Sequence, residues 1–173
     1  MKRWLTVFCL LAAALTLTVS AVADTKPVVG LVEKVRIYPG DLILSAKVDT
    51  GADNSSLHAP EVTRFNRADE KWVRFEVVDE DGHSVTLERK IVRIARIKRP
   101  QGRRQRRPVV MLGICLGNIY RQVQVTLVDR GRLRYPMLIG RSFMQDALLV
   151  DPSLRFTVEP RCSNAPEDDH GRH

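Results

Sequence analysis

Apolar and polar residues alternate in short runs along most of the chain, the pattern of β-strands with one buried face. The clearest run is 72–78, where valine and phenylalanine alternate with arginine and glutamate. It ends at an Asp-Glu-Asp-Gly sequence at 79–82, which is typical of a hairpin turn, so residues 84–88 are predicted to form the return strand.

The same criteria predict strands along the rest of the chain and one helix. Pro39-Gly40 ends the first apolar run, and Gly117-Asn118 is the predicted turn of a second hairpin. Many short strands separated by turns predict an all-β fold, a small closed β-barrel with one short helix. The predicted strands are 28–38, 42–48, 72–78, 84–88, 91–97, 109–116, 123–128, 135–139, 149–150 and 156–158, and the predicted helix is 142–148.

Residues 1–23 are predicted to be a secretory signal peptide. Lys2 and Arg3 precede an apolar run over 4–19, and Ala-Val-Ala at 21–23 provides an A-x-A cleavage site. The apolar run is too short to span a bilayer comfortably, although an uncleaved anchor helix is the alternative. Cleavage would deliver the protein to the periplasm or secrete it.

The remaining chain is expected to form one domain over 24–160, followed by a polar, disordered tail over 161–173. The whole chain carries 28 Lys+Arg and 20 Asp+Glu, a formal net charge of +8. Positive charge favours acidic partners but does not choose among nucleic acid, lipid and peptide. An oxidising compartment would permit a disulfide between Cys115 and Cys162, and a buried thiol at Cys115 with a Cys162 that is free or paired elsewhere is the alternative.

The most informative segment is Asp49-Thr50-Gly51, at the end of the apolar run 42–48. The glycine allows a tight turn and the close approach of a partner loop, and the threonine hydroxyl can hydrogen-bond across such a contact. Two aspartates held about 3 Å apart share one proton, so that one activates water while the other protonates a peptide carbonyl. An ordinary turn that begins with aspartate is the alternative for this triplet.

A second motif follows later in the chain, where the apolar run 135–139 ends in Gly140-Arg141. Together, Asp-Thr-Gly-Ala-Asp at 49–53 and Leu-Ile-Gly-Arg at 138–141 resemble the paired motifs of the retropepsins in content and order. From 28 to 158 the chain is similar to a bacterial retropepsin-like family whose members are often labelled putative ATP-dependent zinc proteases.

This resemblance implies a barrel in which the strand ending at Gly140 packs beside the loop of Asp49, the catalytic residue. It also implies that Thr50 braces the same loop of a second chain and that Asp53, at the substrate cleft, pairs with Arg141. A bidentate arginine–carboxylate pair suits that role, and a chance surface pair is the alternative. The implied supports of the active-site loop are Thr50, Gly51 and Ala52, and the implied substrate-binding residues are Asp53, Ile139, Gly140 and Arg141.

The chain contains a single Asp-Thr-Gly triplet. A catalytic pair of aspartates therefore requires a symmetric homodimer in which each chain contributes its Asp49.

The most basic stretch of the chain is 98–108. Its position before the 109–128 hairpin resembles that of the retropepsin flap, although retropepsin flaps are glycine-rich and apolar. Cations beside a cleft favour an acidic peptide. Members of the family are often associated with ligases that add glutamates to proteins, so a glutamate-rich substrate is a reasonable hypothesis, with a solvated surface loop as the alternative. The candidate contacts are Arg103, Arg104, Arg106 and Arg107.

No cofactor or metal is expected. The chain has no Gly-rich phosphate loop ending in Gly-Lys-Ser/Thr, so ATP binding is not expected. It has no His-Glu-x-x-His, and its four histidines are scattered, with His83 expected to be a solvated loop residue. Nucleic-acid binding is not expected either, because the basic stretch lacks aromatic residues for base stacking.

Two functions from different classes therefore stand. The first is an exported aspartic endopeptidase, a hydrolase that acts on peptides or proteins. The second is a non-catalytic envelope module that binds an anionic partner through the basic loop 98–108. The intact Asp49-Thr50-Gly51 favours the enzyme.

Overall fold

A computed structural model describes residues 25–98 and 104–166 of the protein. The predicted signal peptide 1–23, Arg103 and the end of the predicted tail, 167–173, lie outside these residues. Within the described residues, no helix is long and apolar enough to cross a bilayer. The strands are β1 (Val28–Tyr38), β2 (Ile43–Val48), β3 (Ser55–His58), β4 (Val62–Arg67), β5 (Glu70–Val78), β6 (Ser84–Lys90), β7 (Arg93–Lys98), β8 (Arg104–Leu116), β9 (Ile119–Val128), β10 (Met137–Ile139) and β11 (Leu149–Arg155), and the helix is α1 (Arg141–Met144).

The main sheet has eight strands in the order β11-β1-β2-β10-β3-β9-β8-β7. An additional antiparallel pairing joins β1 to β8, with Ile37 opposite Ile114, and this pairing closes a ring of strands. The prediction of an all-β fold, a small closed barrel with one short helix, is confirmed. A separate antiparallel sheet, β4-β5-β6, packs on the barrel.

One hydrophobic core joins the barrel to the smaller sheet. The alternation predicted for β5 is present, since Val73, Phe75 and Val77 are buried while the residues between them are exposed. These side chains belong to the same cluster as Ile37 and Leu44 of the barrel. Burial of such side chains contributes about 1.5–3 kcal/mol each, so the small sheet is held chiefly by its apolar face.

Two strands were not predicted. In β3, Ser55 and Leu57 are both buried, and a serine at a core position hides the apolar alternation on which the prediction depends. In β4, every residue is exposed or partly buried, because this strand lies at the edge of the small sheet.

The basic stretch predicted as a loop is largely strand, so that prediction was wrong. β8 begins at Arg104, and residues 104–108 pair with β7 in register. Backbone hydrogen bonding across the hairpin extends the strand there, although the side chains are mostly charged. The two strands are joined by residues 99–103, which lie outside the described residues.

The helix is shorter than the predicted 142–148. It ends at Met144 because Gln145 leaves the helical conformation with a ψ of 128° and Asp146 has a φ of 60°. The predicted strand 149–150 is part of β11, which pairs in parallel with β1. The predicted strand 156–158 is absent. The amide of Phe156 still donates to the carbonyl of Val32 in β1 at 2.7 Å, but Phe156 has a φ of 52° and the next two amides donate to a side chain.

That side chain is Glu33 of β1, which is fully buried. Its carboxylate accepts hydrogen bonds from the amide of Gly30 at 2.6 Å and from the amide and hydroxyl of Thr157 at 2.8 and 2.5 Å. The amide of Val158 adds a longer bond of 3.3 Å. Glu33 therefore fastens the segment after β11 to the barrel.

A disulfide holds the chain a few residues further on. Cys115 of β8 is bonded to Cys162, and the amide of Arg161 donates to the carbonyl of Gly117 at 2.7 Å. Of the two possibilities left open by the sequence, the structure contains the bridge. The first residues after the domain are thereby attached to the β8–β9 turn.

Candidate active site

The loop that carries Asp49 begins where β2 ends. β2 pairs in parallel with β10, placing Val48 opposite Ile139, and the amide of Asp49 donates to the carbonyl of Ile139 at 2.9 Å. The amide of Gly51 donates to Asp49 Oδ1 at 2.9 Å. These bonds fix both the backbone and the carboxylate of Asp49, which is half-buried, while Thr50 and Gly51 are exposed.

The loop is also attached to the start of α1. The amide of Arg141 donates to the carbonyl of Ala52 at 2.8 Å, and the amide of Ser142 donates to the carbonyl of Asp53 at 3.0 Å. Gly140 allows this approach, since a Cβ there would lie 2.5 Å from the carbonyl carbon of Asn54. A side chain at residue 140 would therefore force the two segments apart.

Arg141 makes the side-chain contacts of the same junction. Its guanidinium pairs with the Asp53 carboxylate, and its Nη1 donates to the carbonyl of Thr50 at 2.9 Å. The pair that the resemblance implied is thus present. The substrate-binding roles of Asp53 and Arg141, and the contact of Thr50 with a second chain, stay predictions.

The predicted residues Ile139 and Gly140 lie inside the protein. Both are buried, and the side chain of Ile139 belongs to the hydrophobic core. Within this chain they position the loop: the carbonyl of Ile139 accepts a hydrogen bond from the amide of Asp49, and the amide of Gly140 donates to Ser55 Oγ at 3.2 Å.

Asp49 lies at a cleft of about 470 Å³. Leu31, Leu133 and Leu138 give the cleft apolar walls, and Asp49 is the single acidic residue that lines it within the described part of the chain. Four cations line the same cleft: Lys47, Arg130, Arg134 and Arg155. None of these four was singled out from the sequence, because their positions in β2, a turn and β11 carry no local sign of convergence.

Arg130 differs from the other three cations because its side chain is buried, with 8% exposed. Its Nε donates to the carbonyl of Tyr135 at 3.1 Å and its Nη1 to Ser56 Oγ at 2.9 Å. Burial and the nearby charge of Arg107 lower its pKa below the ordinary value, while the charge of Asp49 acts in the opposite direction. The guanidinium therefore lies within electrostatic reach of the catalytic candidate.

The predicted flap residues occupy two faces of the β7–β8 hairpin. Successive side chains of a strand point to opposite faces, so Arg104 and Arg106 share one face and Arg107 lies on the other. Arg104 and Arg106 are exposed, whereas Arg107 is partly buried and close enough to Arg130 to lower its pKa. Of the described flap candidates, Arg107 is the one whose charge acts on a residue of the cleft, Arg130, although Arg107 itself does not line the cleft.

Among the described residues, Asp79, Asp81 and His83 bring possible metal-ligand atoms within 4.8 Å of one another. They lie in the β5–β6 turn, where Asp79 accepts hydrogen bonds from the amides of Asp81 and His83 and contacts the His83 ring. These hydrogen bonds within the turn explain why the three side chains lie close together. His83 is exposed, as expected of a solvated loop residue, although it is paired with Asp79.

Comparison with known proteins agrees with this geometry. The model of the family described as retropepsin-like aspartic endopeptidase RimB matches residues 28–161. A protein of unknown function from Legionella pneumophila, whose crystal structure is known, is 38% identical, with a TM-score of 0.67 over 78% of this chain and 100% of that one.

Two relatives are each named probable alpha-L-glutamate ligase. The one from Shewanella pealeana is 36% identical over 141 residues, which cover 79% of this chain and 31% of the relative. The one from Desulfotalea psychrophila is 34% identical over 123 residues, which cover 66% of this chain and 25% of the relative. The chain thus spans about a third or less of the length of these relatives. With a family match over nearly all of the described barrel, the chain belongs to the RimB-like family of retropepsin-like aspartic endopeptidases.

Proposed function

We propose that the protein is an aspartic endopeptidase in which Asp49 of two chains forms the catalytic pair. The observation that carries the proposal is the position of Asp49: its backbone is held by β10, its carboxylate is held by the amide of Gly51, and it lines a cleft. A rigid carboxylate at a cleft with apolar walls is what general acid–base hydrolysis requires.

The chemistry needs no covalent intermediate. Two facing carboxylates share one proton, so the ionised Asp49 accepts a proton from water as the water attacks the peptide carbonyl. The protonated Asp49 of the other chain donates to the carbonyl oxygen. Collapse of the tetrahedral species then transfers a proton to the leaving nitrogen and breaks the C–N bond.

The requirement for two chains follows from the single Asp-Thr-Gly triplet in the sequence. The exposure of Thr50 and Gly51 supports a symmetric contact at this loop, because these residues are free to meet their counterparts in a second chain. Sedimentation is expected to detect a dimer. A protein that is strictly monomeric at the assay concentration yet cleaves peptide would contradict this proposal.

The proposed substrate is an acidic, glutamate-rich peptide. Among the described residues, four cations and one acid line the cleft, which is a formal surplus of three positive charges. The relatives named glutamate ligases point in the same direction, since a domain similar to this chain occurs in proteins named for joining glutamate. Electrostatic complementarity of this kind favours a substrate of opposite charge.

We also propose that the protein is exported. The sequence 1–23 has the layout of a signal peptide, and the Cys115–Cys162 disulfide suits an oxidising compartment. Mass spectrometry of the protein purified from the periplasm should give an amino terminus at Asp24. Recovery of the intact chain from the cytoplasm alone would contradict export.

The experiment that tests the enzymatic proposal is hydrolysis of a mixed peptide library that includes glutamate-rich sequences. Wild type and Asp49→Asn are compared side by side at acid and neutral pH, with circular dichroism to show that both are folded. Wild type alone is expected to cleave, at sites near acidic residues. Equal cleavage by both proteins would rule out Asp49 as the catalytic group.

The second candidate is a non-catalytic module that binds an anionic envelope partner. The exposed face of the β7–β8 hairpin favours it, since Arg96 lies directly opposite Arg106 in the register and Arg104 is on the same face. Like charges in that arrangement destabilise a hairpin unless an anion is nearby. Under this candidate, neither protein cleaves the library and Asp49→Asn leaves partner binding unchanged.

A further inference from the structure

Arg130 is a buried cation without a carboxylate in ion-pair contact among the described residues. Its two hydrogen-bond acceptors, the carbonyl of Tyr135 and Ser56 Oγ, are both neutral. A charged group taken out of water is costly unless an opposite charge accompanies it. Asp49 acts on Arg130 only through its charge and without a direct ion pair, so no carboxylate of the described residues contacts the guanidinium.

The turn that follows β9 fixes the position of Arg130. Its amide donates to His58 Nδ1 at 2.8 Å, and its carbonyl accepts from the amide of Leu133 at 2.7 Å. The next amide, that of Gly131, donates to Asp129 Oδ1 at 2.8 Å. Backbone and guanidinium are thus both held before any ligand arrives, and prior positioning reduces the entropy lost on binding.

The surroundings of Arg130 favour an anion. Arg130 and Asp49 line the same cleft, and Arg107 of the β7–β8 hairpin lies close enough to repel the Arg130 charge. Arg134 and Arg155 also line the cleft, but both are exposed and contact Tyr135, through its ring and its hydroxyl respectively. Exposed charges are screened by water and salt, whereas a buried charge is screened far less.

We propose that Arg130 is a specificity-determining residue that binds a carboxylate of the peptide substrate next to the scissile bond. This rests on the proposed function, because it takes Asp49 to be the group that acts on the bond. The carboxylate could come from a glutamate or aspartate side chain or from the C-terminus of the peptide. Both present the same planar pair of oxygens to a guanidinium.

The test uses fluorogenic peptides that differ only by glutamate or glutamine beside the scissile bond, each with a free or an amidated C-terminus. Wild type, Arg130→Gln and Arg130→Lys are compared, with Arg132→Gln as a matched control in the same turn, since Arg132 is exposed and does not line the cleft. Thermal melting shows which variants are folded. If Arg130→Gln is not, Arg130→Lys decides, because it keeps the charge and loses the planar fork.

Wild type is expected to prefer the carboxylate peptide by roughly 10- to 100-fold in kcat/KM, the range of a hydrogen bond to a charged group. Arg130→Gln should reduce that ratio to below about 3-fold, Arg130→Lys should reduce it partly, and Arg132→Gln should leave it unchanged. If Arg130→Gln loses the kcat/KM preference for glutamate over glutamine, the carboxylate bound by Arg130 is the side chain. If it loses the preference for the free over the amidated C-terminus, the bound carboxylate is the terminus.

Folded Arg130 variants that keep the wild-type ratio would overturn the proposal. So would an equal shift of the kcat pH profile on both peptides without a change of ratio, which would mean that Arg130 acts only on Asp49. Binding of the same peptides to Asp49→Asn, with and without Arg130→Gln, separates this proposal from the enzymatic one. Preferential, Arg130-dependent binding supports the anion site even if wild type hydrolyses nothing, and equal binding overturns it.

Discussion

Replacing Glu33 tests how the segment after β11 is held to the barrel. The carboxylate is fully buried and accepts bonds from Gly30, Thr157 and Val158. In Glu33→Gln, the best arrangement keeps the amide oxygen toward the amides of Thr157 and Val158. The new NH2 group then faces the Thr157 hydroxyl, which can rotate to accept, and the buried amide of Gly30, which cannot.

The cost of Glu33→Gln is therefore chiefly one buried N–H group left unsatisfied, about 2 kcal/mol of the free energy of unfolding. For a domain of this size, that lowers Tm by about 4–8 °C. Glu33→Ala removes the acceptor for all four donors. Because Thr157 and Val158 are near the surface and can bond to water, we expect a cost of about 4 kcal/mol in total.

Urea unfolding followed by Trp72 fluorescence, with the disulfide intact, measures both changes. The matched control is Glu159→Gln in the same segment, whose exposed carboxylate lies 3.8 Å from Lys34. A surface pair of this kind contributes no more than about 1 kcal/mol. If the free energies of unfolding of both Glu33 variants lie within about 0.5 kcal/mol of wild type, the hydrogen bonds to Glu33 do not hold the segment to the barrel.

Three further predictions concern other contacts. Cys162→Ser removes a disulfide that spans a sequence separation of 47, and its free energy of unfolding in urea should be lower by about 2–4 kcal/mol, with no further loss when reductant is added. A variant with the urea midpoint of wild type would contradict this. Arg141→Lys keeps the charge but loses the guanidinium fork that joins Asp53 to the Thr50 carbonyl. Its kcat should fall about tenfold or more with the melting temperature nearly unchanged, and a variant with the kcat of wild type would show that the junction is dispensable. Hydrogen bonds from two arginines lower the pKa of Glu88, so its stabilising effect is full above its ordinary pKa of 4.5 and lost as pH falls through the lowered value. The stability gap between wild type and Glu88→Gln should therefore be widest near neutral pH and close in strong acid, and a gap independent of pH would oppose this cause.

The strands with a clean alternation could be predicted from the sequence, and β5 shows why. Its apolar face packs on the core and its charged face meets water, so the period of two is visible in the residues themselves. The junction of the Asp49 loop with Gly140 and Arg141 could be anticipated only through the resemblance. Spacing alone does not say that β10 pairs with β2.

Other features depend on distant contacts that leave no local pattern. Glu33 shares a face of β1 with the buried Val35 and Ile37, and nothing local shows what would bind its carboxylate; the donors come from a segment more than 120 residues later. Arg130 reads as a turn residue, and only the fold brings it to the cleft of Asp49. Ser55 reads as a loop residue, but its hydroxyl accepts the amide of Gly140 and so occupies the core.

In the proposed mechanism, catalysis requires Asp49 from each of two chains. The most direct measurement is the activity of a mixed dimer, one wild-type chain and one Asp49→Asn chain, isolated through a different affinity tag on each subunit. The mixed dimer is expected to cleave the wild-type substrate at below about 1% of the wild-type rate, because one carboxylate alone cannot both activate water and protonate the carbonyl. A mixed dimer that retains half of the wild-type rate would mean that each chain acts alone, and would rule out a catalytic pair shared between two chains.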